Sequence, residues 1–134
     1  MFAVLTVINW LAVIVATLPF VVLGGLYFVF VVPKPYAAAV GAEAKKTPLY
    51  TAGPIVPSLV TVITSAILLK ALGVTELGDG VVFGLIVSVG YLVAQTFNIA
   101  INPAFAKPLV YGLINAPYFI IGGTLASVIL TVWQ

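Results

Sequence analysis

The stretch Val81-Val-Phe-Gly-Leu-Ile-Val-Ser-Val-Gly-Tyr-Leu-Val-Ala-Gln-Thr-Phe-Asn-Ile-Ala-Ile101 contains no charged residue. At a rise of about 1.5 Å per residue, a helix of that length crosses the roughly 30 Å of hydrocarbon in a bilayer. A helix on the surface of a soluble bundle would carry charges along one face, and this one carries none. A strand of a membrane barrel would alternate apolar and polar residues, and this run is apolar on every side. The stretch reads as a transmembrane α-helix.

Three more runs of the same kind flank it, from Val4 to Val32, Ile55 to Leu69 and Leu109 to Val132. The run at Ile55 is the shortest and reaches spanning length once Pro54 and Lys70 to Leu72 are counted in its flanks. The expected fold is therefore all-α, a polytopic transmembrane bundle of four helices forming a single domain over residues 1–134. The spans are expected at about 4–32, 54–72, 81–102 and 109–133, with an interfacial loop at 33–53. The connection from Pro103 to Pro108 is so short that the third and fourth helices must form a tight antiparallel hairpin. The first run lacks a positively charged start and is too long for the apolar region of a signal peptide, so it is expected to be a span. Pro19 should kink the first helix and Pro117 should bend the fourth, each by removing one ladder hydrogen bond. An alanine-rich piece of the first loop, Tyr36 to Lys46, is expected to lie as a short interfacial helix stopped by Thr47-Pro48.

Composition excludes more than it assigns. Hydrophobic residues make up 63% of the chain and charged residues 6%, with a mean hydropathy of +1.31. With four spans no length remains for a soluble domain. The five basic residues are all lysines and form no basic run, so a nucleic-acid partner is not expected. There is no cysteine and no histidine, which removes disulfides, thiolate chemistry and the commonest general base. The three acids, Glu43, Glu76 and Asp79, are expected in loops. No metal site, cofactor or catalytic residue is expected, and the chain does not read as an enzyme.

The lysines set an expected orientation. Lys34, Lys45, Lys46 and Lys107 belong to the first and third loops, against Lys70 on the other side, so those loops should face the cytoplasm and both termini the outside. Trp10, Tyr36, Tyr50 and Trp133 are expected as anchors at the headgroup level.

Neutral polar residues form stripes. In the third helix Gly84, Ser88, Tyr91, Gln95, Asn98 and Asn102 are spaced four, three, four, three and four, which places them on one face in a left-handed bundle. The fourth helix offers Tyr111, Asn115, Tyr118 and Gly122; the first offers Thr6, Asn9, Thr17 and Gly24; the second offers Pro57, Thr61 and Thr64. These seams should face each other. Folding the hairpin puts Asn98 at the depth of Asn115 and Gln95 at that of Tyr118. The expectation is a buried polar cluster of Gln95, Asn98, Asn102, Asn115 and Tyr118, binding helix to helix or lining a small polar cavity. Gly84, Ser88, Gly90, Ala94, Gly122 and Ala126 are expected as packing or oligomer contacts, and Gly90 with Ala94 lies off the main stripe, hinting at a second contact face.

The pair Asn9-Trp10, the run Gly24-Gly25-Leu26-Tyr27, and the closing hairpin with Leu113-Ile114-Asn115-Ala116-Pro117-Tyr118 resemble one bacterial group over nearly the whole chain. That group is the small four-helix membrane proteins of domain of unknown function 1761. The resemblance implies a multi-pass protein of the inner membrane and supplies no activity. Members often carry a histidine directly after the tyrosine of the last helix; here that position is Phe119, so any role of that histidine is lacking. The functional expectation is a bilayer-embedded protein without catalytic activity, acting as a homo-oligomer or as an accessory subunit of a larger membrane complex. The alternative is a channel or carrier for a small neutral solute or lipid, which needs a continuous polar path.

Overall fold

In the computed structural model, which describes residues 2–41 and 47–133, four long apolar helices run Trp10–Val31, Pro48–Leu72, Leu77–Ala100 and Pro108–Val132. A short helix, Pro33–Val40, follows the first span. The chain is an all-α bundle, as its hydropathy pattern requires.

The helix ends differ from those expected, for local chemical reasons. The first span begins at Trp10 because Asn9 caps it: its side-chain oxygen accepts from the Ala12 N–H at 3.1 Å. The preceding residues Phe2–Thr6 wind as a tighter 3-10 turn, so Thr6 belongs to no membrane stripe. The second span opens at Pro48 with Thr47 as cap, turns at Gly53-Pro54 and continues as Ile55–Leu72. Gly73 closes it in the left-handed conformation at φ 66°, where its N–H returns to the Leu69 carbonyl. The interfacial helix starts with Pro33 at its first position and stops at Gly41, φ 87°. It is shorter than expected; Glu43, Lys45 and Lys46 lie outside the described residues. Both Pro19 and Pro117 sit within unbroken helices.

The fourth span is the centre of the molecule. About 39% of its apolar window is buried, against 17% to 22% for the other three. An apolar core forms between the first, second and fourth spans from Ala12, Val13, Ala16, Phe20, Val62, Ala66, Leu69, Tyr118, Ala126 and Leu130. The second span therefore turns Val62, Ala66 and Leu69 inward, while Pro57 and Thr64 face outward. The expected stripe of Pro57, Thr61 and Thr64 is rotated away because apolar burial outweighs hydroxyl contacts that those side chains satisfy alone. Thr61 and Thr64 each donate to the carbonyl four residues earlier, at 2.9 Å.

The third span attaches differently, through glycine and hydroxyl residues. A methyl group added at Gly84 would come within 2.7 Å of Thr124 Cα and 3.0 Å of Ser127 Cβ. Gly80 faces Thr131, Ser88 faces Gly123 and Phe97 faces Gly112. As the third-span numbers rise the fourth-span numbers fall, so the two helices run antiparallel with backbones in near contact. Such close approach is how helices associate in lipid, where no hydrophobic effect drives them together.

Candidate interaction site

The polar residues of the third span do not all point the same way, and the backbone explains why. Between Ser88 and Val93 the helix widens into a π-turn, where the Ala94 N–H reaches the Val89 carbonyl five residues back. A π-turn accommodates one extra residue and turns everything after it by about one residue's rotation. The buried stripe consequently runs Gly80, Gly84, Ser88, Thr96 and Ala100. Thr96 takes the inward place assigned by even spacing to Gln95, and donates to the Leu92 carbonyl at 2.7 Å.

The predicted cluster therefore does not assemble. Tyr91, Gln95, Asn98 and Asn102 lie on the outward surface, Tyr91 at 69% exposure. The Asn102 side chain accepts from the Ala104 N–H at 3.1 Å, capping the turn after the span. Gln95 and Asn98 make no side-chain hydrogen bond with any described residue. Asn115 and Tyr118 are buried as expected, each with its own partner. Asn115 donates to the Tyr111 carbonyl of its own helix at 2.8 Å, and the Tyr118 hydroxyl donates to the Phe20 carbonyl at 3.2 Å. Hairpin folding gave the depths within about one turn, and the π-turn changed the rotation.

The packing residues divide as well. Gly84, Ser88, Gly122 and Ala126 are buried, Gly122 close against the Phe20 ring. Gly90 and Ala94 are exposed, and an added Cβ at Gly90 would meet nothing within 4 Å. Ile86, Gly90, Ala94 and Asn98, four apart, thus form a ridge facing directly away from the fourth span, with Tyr91 and Gln95 on its flank.

Two contacts were invisible to stripe counting. The Tyr27 hydroxyl donates to the Ile114 carbonyl at 3.0 Å, reciprocating the bond from Tyr118 to Phe20. Each of these two spans thereby binds the other's backbone. The rings around them form a chain from Phe20 through Tyr118, Phe28, Tyr36 and Tyr111 to Phe105, with centroid separations of 4.5 to 5.9 Å. Phe119 packs against Tyr118 with ring centroids 4.9 Å apart and the planes tilted by 57°. Ser88 Oγ and Thr124 Oγ1 are also buried in the seam between the third and fourth spans, with no hydrogen-bond partner among the described residues.

The anchors sit at helix ends. Trp10 and Trp133 are half-exposed at one end of the bundle, where the Asn9 side chain donates to the Trp133 carbonyl at 3.1 Å. Beside them a cavity of about 20 Å3 is lined by residues including Asn9, Lys70 and Trp133. At the opposite end Tyr50 is exposed and Tyr36 is partly buried between Phe28 and Tyr111. Burial pushes the Tyr36 phenol above its ordinary range, and the neighbouring Tyr111 adds to the shift. The Lys107 N–H donates to the Ala39 carbonyl at 3.0 Å, which docks the interfacial helix on the third loop.

The family model for proteins of unknown function, DUF1761, matches residues 11–131. No curated protein matches the chain, and no solved structure does.

Proposed function

The chain belongs to the DUF1761 family of proteins of unknown function, and from that premise we propose that it works by assembly: a multi-pass membrane subunit without catalytic activity, homo-oligomeric or accessory to a larger membrane complex. The observation that carries this reading is the outward face of the third span, where Gln95 and Asn98 are exposed with no hydrogen-bond partner among the described residues. Gln95 lies five residues, about 7.5 Å, inside the end of the helix. Lipid tails offer no hydrogen bond, so an amide at that depth is best satisfied by another protein helix.

The interior favours this reading over transport. Asn115, Tyr118, Thr17 and Thr131 each give a donor to a carbonyl within the bundle. The cavity beside Asn9 has room for about one water molecule. On this reading the protein resides in the cell's inner membrane, with both termini outside and Lys34 and Lys107 among cytoplasmic headgroups.

Native mass spectrometry of protein extracted gently from its own membranes tests the proposal. A homo-oligomer, or a stoichiometric foreign chain, is the expected result. A lone monomer retaining a small solute or lipid would transfer the assignment to a carrier. Turnover of a lipid substrate that is lost on Tyr118→Phe would overturn the non-catalytic assignment.

A further inference from the structure

We propose that the outward ridge of the third span is a two-fold contact with a second copy of the chain, the stretch from Gly90 to Asn98 of one copy crossing the same stretch of the other. This rests on the reading of the protein as an assembling subunit and names its partner and its surface.

Spacing comes first. Ile86, Gly90, Ala94 and Asn98 follow one another at intervals of four, the ridge that packs helices at a right-handed crossing of about −40°. A seam at alternating spacings of three and four would cross the other way. Space comes second. Nothing approaches within 4 Å of where a Cβ at Gly90 would stand, and Ala94 one turn on is also exposed, so a partner backbone can lie close at both positions. The third span is also the least enclosed of the four, with 17% of its window buried, and its opposite face is already occupied by the fourth span.

Hydrogen-bond complementarity selects the occupant. A primary amide carries two donors and an acceptor, so it can satisfy a like amide. In a two-fold contact each residue near the axis meets its own counterpart. Asn98 and Gln95 then find partners in Asn98 and Gln95 of the second copy, with no requirement for a foreign helix to bring matching groups. No charge on this face calls for an opposite one either. Asp79 is the only charged side chain of the third span and lies at its far end.

Because the chain contains no cysteine, single cysteines report on this contact without a background. Ala94→Cys is oxidised in native membranes beside Ile14→Cys and Val60→Cys, which sit on the exposed faces of the first and second spans. A disulfide needs Cα atoms about 4.4–6.8 Å apart, which only positions near the two-fold axis achieve. The expected result is a covalent dimer from Ala94→Cys and none from the other two. In the cysteine-free chain, Gln95→Leu with Asn98→Leu should weaken the dimer about tenfold in a detergent-dilution assay while leaving the monomer folded, since both side chains are exposed and hydrogen-bond to no described residue. Cross-linking at Ile14 or Val60 and not at Ala94 would overturn this surface and leave self-assembly standing. A stoichiometric foreign chain with no cross-link at Ala94 would overturn the second copy and leave the accessory-subunit reading. A lone monomer in native mass spectrometry, with no cross-link, would remove both.

Discussion

Within the seam between the third and fourth spans, neighbouring small residues carry very different weights. Gly84 is constrained by main chain: an added methyl would press on Thr124 Cα at 2.7 Å, which no side-chain rotation relieves. Gly84→Ala should therefore cost about 1–3 kcal/mol by overpacking. Within one chain Gly90→Ala meets open space, so in the detergent-dissociated monomer it should be neutral, or gain up to about 1 kcal/mol of helix propensity. Ser88 is fully buried, its hydroxyl without a hydrogen-bond partner among the described residues. Removing an unsatisfied polar atom relieves a desolvation penalty, so Ser88→Ala should be neutral or stabilising by up to about 1 kcal/mol. Thermal unfolding in one detergent, followed by circular dichroism, ranks the three; equal losses for Gly84→Ala and Gly90→Ala would contradict the close approach. Tyr36 gives a second handle. Its phenol is held above the ordinary range, first by burial and then by Tyr111, so folding favours the neutral form. That stabilisation is complete below the ordinary phenol value of about 10 and is lost as pH rises through the raised one. In an alkaline titration read by tyrosinate absorbance, Tyr36→Phe should remove amplitude from the late phase.

At the scale of a helix, the π-turn of the third span governs which residues meet. From Ser88 to Thr96 the inward stripe advances eight residues, one more than two turns of a regular bundle helix. Deleting Val89 would restore a seven-residue step and keep Gly84, Ser88 and the threonine inward, so the seam should survive with a straight helix. Deleting Ile121 from the unbroken fourth span has no such slack. It rotates half of that helix by about 100° and should cost several kcal/mol, reducing folded yield sharply. Comparable losses for the two deletions would mean that the π-turn does not set the register. The same feature explains what the sequence conveyed about the site. Depth follows from loop length and helix rise, so the sequence alone places Asn98 within about one turn of Asn115 and Gln95 within about one turn of Tyr118. Rotation depends on every residue between, and one added residue at Ser88–Val93 turns an apparent three-four stripe outward. Hydroxyls compounded the error in the second span, because serine and threonine bond their own helix and need no partner.

For the molecule as a whole, the four spans were legible because the hydrocarbon thickness imposes a length and forbids charge within it. What the apolar pattern could not convey is the inequality among the helices. The fourth serves as the hub, and the third rests on it through glycine and hydroxyl contacts, with Phe83 and Leu92 packed at the edge of the apolar core. Orientation follows from a different force. Lys34 lies on the interfacial helix, which is docked to the third loop by the bond from Lys107 to Ala39, so these two cations share one end. Lys70 in the last turn of the second span and Asp79 in the first turn of the third occupy the other end, each favourably placed against its helix dipole. Basic residues resist translocation while acidic ones have little say. In intact cells, a membrane-impermeant maleimide should thus label Asp79→Cys from outside and reach Lys34→Cys and Lys107→Cys only after the membrane is breached. Labelling of Lys34→Cys and Lys107→Cys in intact cells, with Asp79→Cys protected, would invert the assignment. Moving the two lysines should then follow the same rule: Lys34→Gln with Lys107→Gln, combined with two lysines introduced at Thr75 and Gly78, should leave Asp79→Cys protected in part of the population of intact cells. The bundle itself should tolerate the exchange, since all four of these positions are exposed at helix ends or in loops.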